Sequence, residues 1–168
     1  MPAPQYTLRP LHPDDDPHIE DVIRTVLVEF GANRPGFAWA DPELSRLSSV
    51  YGTARAAYWV VEHTQRGLLG GAGFGPLAGE ADHVCELQKM YLLPAGRGLG
   101  AGRALITHCL DAARSAGYTQ MYLETLRSMT AAQALYRSVG FQPLAQPMGR
   151  TGHGGCDCWF ACTLAPDA

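Results

Sequence analysis

The sequence predicts a single α/β domain in which a mixed, mostly antiparallel sheet carries helices on both faces. Three observations predict it. Three extended segments follow one another closely between Ala57 and Leu93. Beyond them, extended and helical patterns alternate, the order that lays helices against a sheet. The chain has 168 residues, 46% of them apolar and 17% charged, which is the size and balance of one globular domain with its own core.

The elements follow in order. Residues 1–5 read as a tail, and the domain as residues 6–165. Gln5 to Arg9 alternates apolar and polar residues and reads as a strand. Asp14 to Phe30 reads as a helix with an acidic start, and Ile19, Val22, Ile23, Val26 and Leu27 fall at helical spacing. A loop from Gly31 leads to a second short helix over Pro42 to Tyr51. Ala57 to His63 and Leu68 to Gly75 are strands joined by a turn at Gln65-Arg66-Gly67. His83 to Leu93 is a longer strand. Gly98 to Ser115 is a helix with Leu105, Ile106, Cys109, Leu110 and Ala113 on one face, ended by Gly117. Tyr118 to Thr125 is a strand, and Ser128 suits the N-cap of a helix running to Val139 and stopped by Gly140. Phe141 to Leu144 and Asp157 to Leu164 complete the strands.

Composition excludes several function classes. Net charge is −3, and the positive charges are twelve arginines and the single lysine Lys89, spread along the chain. A nucleic-acid binder would gather them on one surface, so no nucleic-acid partner is expected. No apolar run reaches the length of a membrane span, and the first residues lack the pattern of a signal peptide. A cytoplasmic protein without a membrane partner is the expectation. The five cysteines are odd in number and argue against a disulfide framework.

The densest signal is the run Leu93-Pro94-Ala95-Gly96-Arg97-Gly98-Leu99-Gly100-Ala101-Gly102-Arg103, with a strand leading in and a helix leading out. Glycine lets a backbone approach a ligand closely. The first N–H groups of a helix lack internal partners and, with the helix dipole, suit phosphate oxygens. Arg97 and Arg103 add charge there. A dinucleotide-binding turn does not fit, because its third glycine would fall at Arg103. A Walker-type loop does not fit either, since no Gly-Lys-Ser/Thr follows. A turn that merely connects strand to helix remains open on spacing alone.

The wider context resembles a known family. Arg97-Gly98-Leu99-Gly100-Ala101-Gly102 is similar to the R/Q-x-x-G-x-G/A signature of the GNAT superfamily of N-acetyltransferases. Glu86-Leu87-Gln88-Lys89-Met90-Tyr91-Leu92-Leu93-Pro94 resembles the family's fourth strand and its following proline. Ala132-Gln133-Ala134-Leu135-Tyr136-Arg137-Ser138-Val139-Gly140-Phe141 resembles its later A-x-x-L-Y-x-x-x-G-F helix. The resemblance spans roughly residues 6 to 165. It implies that acetyl-CoA lies in a gap where two central parallel strands splay apart; no metal is expected. The pyrophosphate would take backbone N–H groups from Leu99 to Arg103. The pantetheine arm would pair along Met90, Tyr91 and Leu92, with the N–H of Met90 or Leu92 on the thioester oxygen. Strand alternation places Glu86, Met90 and Leu92 on one face unless a bulge intervenes. Glu86 matches the family's strand-four base, Glu124 is the second candidate, and Asp82 and His83 are weaker. Tyr136 matches the tyrosine that protonates the departing thiolate. One departure stands out: where many members carry an asparagine that contacts the cofactor, this chain has Met129, and Ser128 or Thr130 would have to replace it.

The acceptor implied is an amine, small molecule before protein, with a protein acceptor or a non-catalytic acyl-CoA-binding module as the alternatives. A homodimer is implied by analogy. Two loops border the acceptor side. Ala32 to Asp41 carries Arg34, Phe37 and Trp39, which suits an amphipathic or acidic acceptor. Gly149 to Trp159 carries His153 and Asp157, which either contact a polar substrate or sit in a plain hairpin loop. Zinc on His153, Cys156 and Cys158 is disfavoured by the C-x-C spacing and the missing fourth ligand.

Overall fold

The computed structural model describes residues 3–164. Ala165, the last residue of the expected domain, and Met1 and Pro2 of the tail lie outside them. Seven strands and three α-helices alternate as β1 (Tyr6–Pro10), α1 (Asp16–Glu29), β2 (Ala57–His63), β3 (Gly67–Pro76), β4 (Val84–Leu92), α2 (Ala101–Ser115), β5 (Gln120–Thr125), α3 (Thr130–Ser138), β6 (Gln142–Leu144) and β7 (Cys158–Thr163). They build one sheet in the order β1-β2-β3-β4-β5-β7-β6. Every neighbouring pair is antiparallel except β4 and β5. The mixed sheet expected from the sequence is the sheet observed.

The helices bury the stripes their spacing predicts. Ile19, Val22, Ile23, Val26 and Leu27 of α1 are buried against one face of the sheet, over Tyr58 and Val60. Leu105, Ile106, Cys109, Leu110 and Ala113 of α2 are buried on the other, over Cys85, Leu87 and Phe160. All five cysteines are free thiols, and Cys85 and Cys109 are buried in this second core.

Two local expectations need correction. The second short helix is a 3-10 helix, Pro42–Ser49, with Arg46 off helical geometry at φ −146°, ψ 45°. Its serines divert the backbone. The Ser49 hydroxyl donates to the Arg46 carbonyl (2.7 Å), and Ser48 gives both its N–H (2.8 Å) and its hydroxyl (2.5 Å) to the Asp16 carboxylate. The buried Leu44 and Leu47 then sit three apart, as a 3-10 turn requires. Ser128 does not cap α3. The capping position is Met129, and no side chain caps the helix. The Gln133 side chain reaches back instead and donates to the carbonyls of Leu126 and Arg127, 2.9 Å each.

The glycines of β3 have a steric cause. A Cβ on Gly71 would lie 2.5 Å from the Tyr58 ring and 2.6 Å from the Trp59 carbonyl. Tyr58 lies flat across this strand because no side chain rises beneath it. The Gly71→Ala variant is therefore expected to lose about 1–3 kcal/mol of stability through overpacking. Thermal unfolding checks this, at about 2–4 °C per kcal/mol for a domain of this size. An unchanged Tm would mean the Tyr58 ring moves freely.

Candidate active site

Parallel pairing between β4 and β5 covers only Val84 with Gln120, Cys85 with Met121 and Glu86 with Tyr122. Past these pairs the two strands diverge. The cause is a bulge in β4. Its ladder with β3 advances two residues on β3, Gly71 to Gly73, against three on β4, Tyr91 to Gln88. The extra residue is accommodated at Lys89, whose φ of +51° makes it the only non-glycine residue with positive φ among those described. The Tyr58 hydroxyl donates to the Lys89 carbonyl, 2.8 Å away, and holds this conformation. The bulge also reverses the alternation expected for β4. Cys85, Leu87, Met90 and Leu92 pack toward the α2 core, while Tyr91 and Leu93 pack toward the α1 core. Glu86 thus keeps company with Gln88 and Tyr91 rather than with Met90 and Leu92.

The divergence opens two spaces. A groove of about 450 Å³ runs past the glycine-rich turn and is lined by Met90, Tyr91 and Leu92, by Gly96, Arg97, Gly98, Gly100, Gly102 and Arg103, and by Ser128 to Ala132 with Leu135 and Tyr136. Gly98 and Gly100 take φ of +76° and +81°, which a side chain would strain. A Cβ on Gly102 would press to 3.1 Å from Leu135 and 3.4 Å from Leu92, filling the groove wall. Leu99 and Ala101 do not line the groove. Leu99 points to solvent and Ala101 is buried under the helix start. Arg97 already has partners, a two-pronged bond to Glu29 (2.7 Å each) and its Nε on the Leu92 carbonyl (3.1 Å). Arg103 donates to the Ser138 hydroxyl at 2.8 Å.

The second space is a cavity of about 250 Å³ lined by Glu86, Lys89, Glu124, His153, Phe37 and Thr151 among others. Groove and cavity share Met90, Tyr91, Met129 and Tyr136. Tyr136 is buried, with its ring 6.0 Å from that of Phe141 and 6.2 Å from that of Phe160, and burial raises its phenol above the ordinary range. Glu86 is 9% exposed, and burial pushes its carboxyl up to about 7. The Gln88 amide donates to it at 3.1 Å, and the Tyr51 hydroxyl in turn donates to Gln88 at 2.8 Å. Thr151 hydrogen-bonds Glu124 through its hydroxyl. One atom each from Glu86, Glu124 and His153 lie within 4.8 Å of one another.

A network that the sequence did not announce surrounds these groups. Lys89 is buried and paired with Asp41, with Glu43 4.0 Å away. The His153 Nε2 lies 2.9 and 3.0 Å from the two Asp41 oxygens. Burial opposes charge on both partners, yet Asp41 is held below the usual carboxylate range by His153 and Lys89. His153 is likewise raised by the Asp41 hydrogen bond and charge. A signal was available in Lys89, the one lysine in the chain, set mid-strand among apolar residues.

Other expected site residues lie elsewhere. Asp82 and His83 stand at the far end of β4, where the Asp82 carbonyl accepts from Arg55, and neither lines the cavity. Asp157 accepts from the Arg127 N–H at 2.7 Å and supports a loop. Cys158 turns its thiol to Gln133, 3.8 Å away. Of the three residues expected from the early loop only Phe37 lines the cavity; Arg34 covers the Phe37 ring and Trp39 lies under Arg24. The cavity lining carries the carboxylates of Glu86 and Glu124 together with Lys89 and His153.

Comparison with known proteins places this architecture. Residues 23–141 match the model of the acetyltransferase (GNAT) family. The uncharacterized N-acetyltransferase YjgM of Escherichia coli (strain K12) is 42% identical over 157 residues, covering 92% of this chain and 93% of that protein. An acetyltransferase of the GNAT family from Staphylococcus aureus superposes with a TM-score of 0.83 at 16% identity, over 95% of this chain and 99% of its own. The structure of yncA from Salmonella typhimurium with its cofactor acetyl-CoA superposes with a TM-score of 0.75 at 24% identity, over 98% and 99%. With the splayed strand pair, the glycine-rich turn and these matches in agreement, the chain belongs to the GNAT family of acetyltransferases.

Proposed function

We propose that the protein transfers the acetyl group of acetyl-CoA to the amine of a small molecule, by direct attack and without a metal. The observation that carries this reading is the meeting of groove and cavity at Tyr136, with Glu86 on the cavity side. Acetyl-CoA lies in the groove, its phosphates on the N–H groups that open α2 and its pantetheine arm along the unpaired stretch of β4. Glu86 is the base. A carboxyl near 7 is ionised for part of the molecules at neutral pH and still basic enough to take a proton from an ammonium through water. Glu124 stands beside it as the alternative carboxylate. The β4 N–H groups at Met90 or Leu92 stabilise the negative charge that grows on the thioester oxygen. Tyr136, neutral because it is buried, gives its proton to the departing CoA thiolate.

A small acceptor fits a cavity of this volume closed by two loops. A protein α-amine is the second reading. It is favoured by the N-alpha-acetyltransferase RimI of Mycobacterium tuberculosis, 41% identical over 75 residues, which cover 45% of this chain and 46% of that protein. Release of CoA in a panel of tyramine, spermidine, free amino acids and a peptide with a free N-terminus separates the two. Turnover of the peptide alone would overturn the small-molecule reading.

Four outcomes test this reading. In Tyr136→Phe, turnover is expected to fall roughly 10–100-fold with the acetyl-CoA dissociation constant nearly unchanged; equal turnover would remove Tyr136 from the chemistry. In the native enzyme kcat/KM is expected to rise with pH through about 7 as Glu86 ionises, and Glu86→Gln is expected to lose that limb along with roughly 10²-fold in rate. The same substitution has an expected sign for stability. The folded state holds the Glu86 proton more tightly than the unfolded chain does, so native stability declines as pH rises from about 4.5 to about 7. Glu86→Gln is therefore expected to stabilise the fold at pH 8 by on the order of 1–3 kcal/mol, read as a higher Tm, and to do little at pH 4. Dialysis against EDTA is expected to leave the rate unchanged, and a loss would contradict the metal-free reading.

A further inference from the structure

Each acetyl transfer to an ammonium leaves one proton on the base, and that proton must leave before the next turnover. Glu86 is poorly placed to release it. It is 9% exposed, its hydrogen-bond neighbour Gln88 carries no titratable proton, and the nearby Lys89 side chain, 6% exposed, is tied to Asp41. His153 is differently placed. Its ring lies within 4.8 Å of both the Glu86 and Glu124 carboxylates, its side chain is 18% exposed, and Asp41 grips its Nε2. Asp41 accepts the Nε2 proton, which leaves Nδ1 of the neutral ring as a proton acceptor. The loop is pinned in this position, because the His153 N–H donates to the Thr151 hydroxyl (3.1 Å) and the Cys156 N–H to the His153 carbonyl (3.1 Å).

We propose that His153, oriented by Asp41, carries the proton from Glu86 out to solvent. The proposal rests on the reading of Glu86 as the base. The acceptor ammonium gives a proton to the Glu86 carboxylate. The resulting carboxylic acid passes it to the neutral His153 ring, through one water across the gap. The imidazolium, balanced by Asp41, loses it to bulk water and is reset. No other bond changes. His153 acts through Glu86 and is a positioning residue for the proton path rather than a group on the reacting atoms. The charges that face it are Glu86 and Lys89 from β4, Glu124 from β5, Asp41 from the loop before the 3-10 helix and Glu43 from its first turn, and the thiol of Cys156 in its own loop. The phenols of Tyr51 and Tyr122 are raised by burial and stay neutral. The buried ion pair of Lys89 with Asp41 gives the dyad its second anchor.

The test uses His153→Gln and His153→Asn with acetyl-CoA and the amine of the panel that turns over fastest. Both are expected to lower kcat about tenfold or more in dilute buffer, with KM for the amine little changed. Added imidazole is expected to restore their rate in proportion to its concentration, while the native enzyme stays indifferent to it. The acid limb set by Glu86 is expected to persist. A rate in both variants that equals the native one, independent of buffer, overturns the relay and leaves the base untouched. A full rate in Glu86→Gln overturns the base reading itself, so the two failures are distinct. Circular dichroism and Tm verify that the variants fold. Should both histidine variants unfold, Asp41→Asn carries the test, with the same imidazole-dependent defect expected and a buffer-independent native rate overturning the proposal.

Discussion

The site depends on one backbone conformation, the left-handed turn of Lys89 in the middle of β4. A strand that continued regularly would go on pairing with β5, and the sheet would have no opening. The added residue shifts the register against β3, ends the parallel ladder at Glu86 and Tyr122, and turns Tyr91 onto the face of Glu86. A non-glycine residue in this region costs of order 1–3 kcal/mol. Three contacts offset that cost, namely the Tyr58 hydroxyl on the Lys89 carbonyl, the ion pair of Lys89 with Asp41, and the flat packing of Tyr58 on the glycines of β3. The glycines of β3 and the lysine of β4 thus belong to one device.

The same lysine links backbone shape to electrostatics. Its side chain brings Asp41 to the cavity, and Asp41 brings His153. Two loops far apart in sequence, one before the 3-10 helix and one between β6 and β7, are held by this cluster of charges. An unpaired buried charge is costly, so each member requires the others. Glu86 lacks a cation of its own within hydrogen-bonding distance, and burial therefore dominates its acidity. That division separates a structural ion pair from a carboxyl able to exchange protons near neutral pH.

Much of this was legible in the sequence. The apolar stripes of α1 and α2, the meander of β2 to β4, and the glycine-rich turn follow from local periodicity and local conformational need, and local rules read them. Glu86 and Tyr136, read from their motifs, and Glu124, read from its place at the end of the next strand, line one cavity. What could not be read depends on contacts distant in sequence. The bulge at Lys89 exists because of Tyr58, 31 residues earlier, and it overturned the expected alignment of Glu86 with Met90 and Leu92. Asp41 and His153 are 112 residues apart and carry no shared motif. Ser128 had the right chemistry for a cap, but the helix starts one residue later, with Met129 at the capping position, where the Gln133 amide ties the preceding turn by donating to its carbonyls. Arg34, expected to face the acceptor, lies over the Phe37 ring and outside the cavity lining, a placement set by packing that local sequence does not show.

The proposed chemistry requires that the groove between the diverging strands bind acetyl-CoA. Thermal unfolding with acetyl-CoA, against ATP and NAD at equal concentration, tests it most directly. At a hundred times its dissociation constant a ligand adds about 2.7 kcal/mol to stability, or roughly 5–10 °C in Tm for a domain of this size. That shift is expected with acetyl-CoA and little with the other two. No shift with acetyl-CoA, or a larger one with NAD, would contradict it and remove the ground for every role assigned around Glu86 and Tyr136.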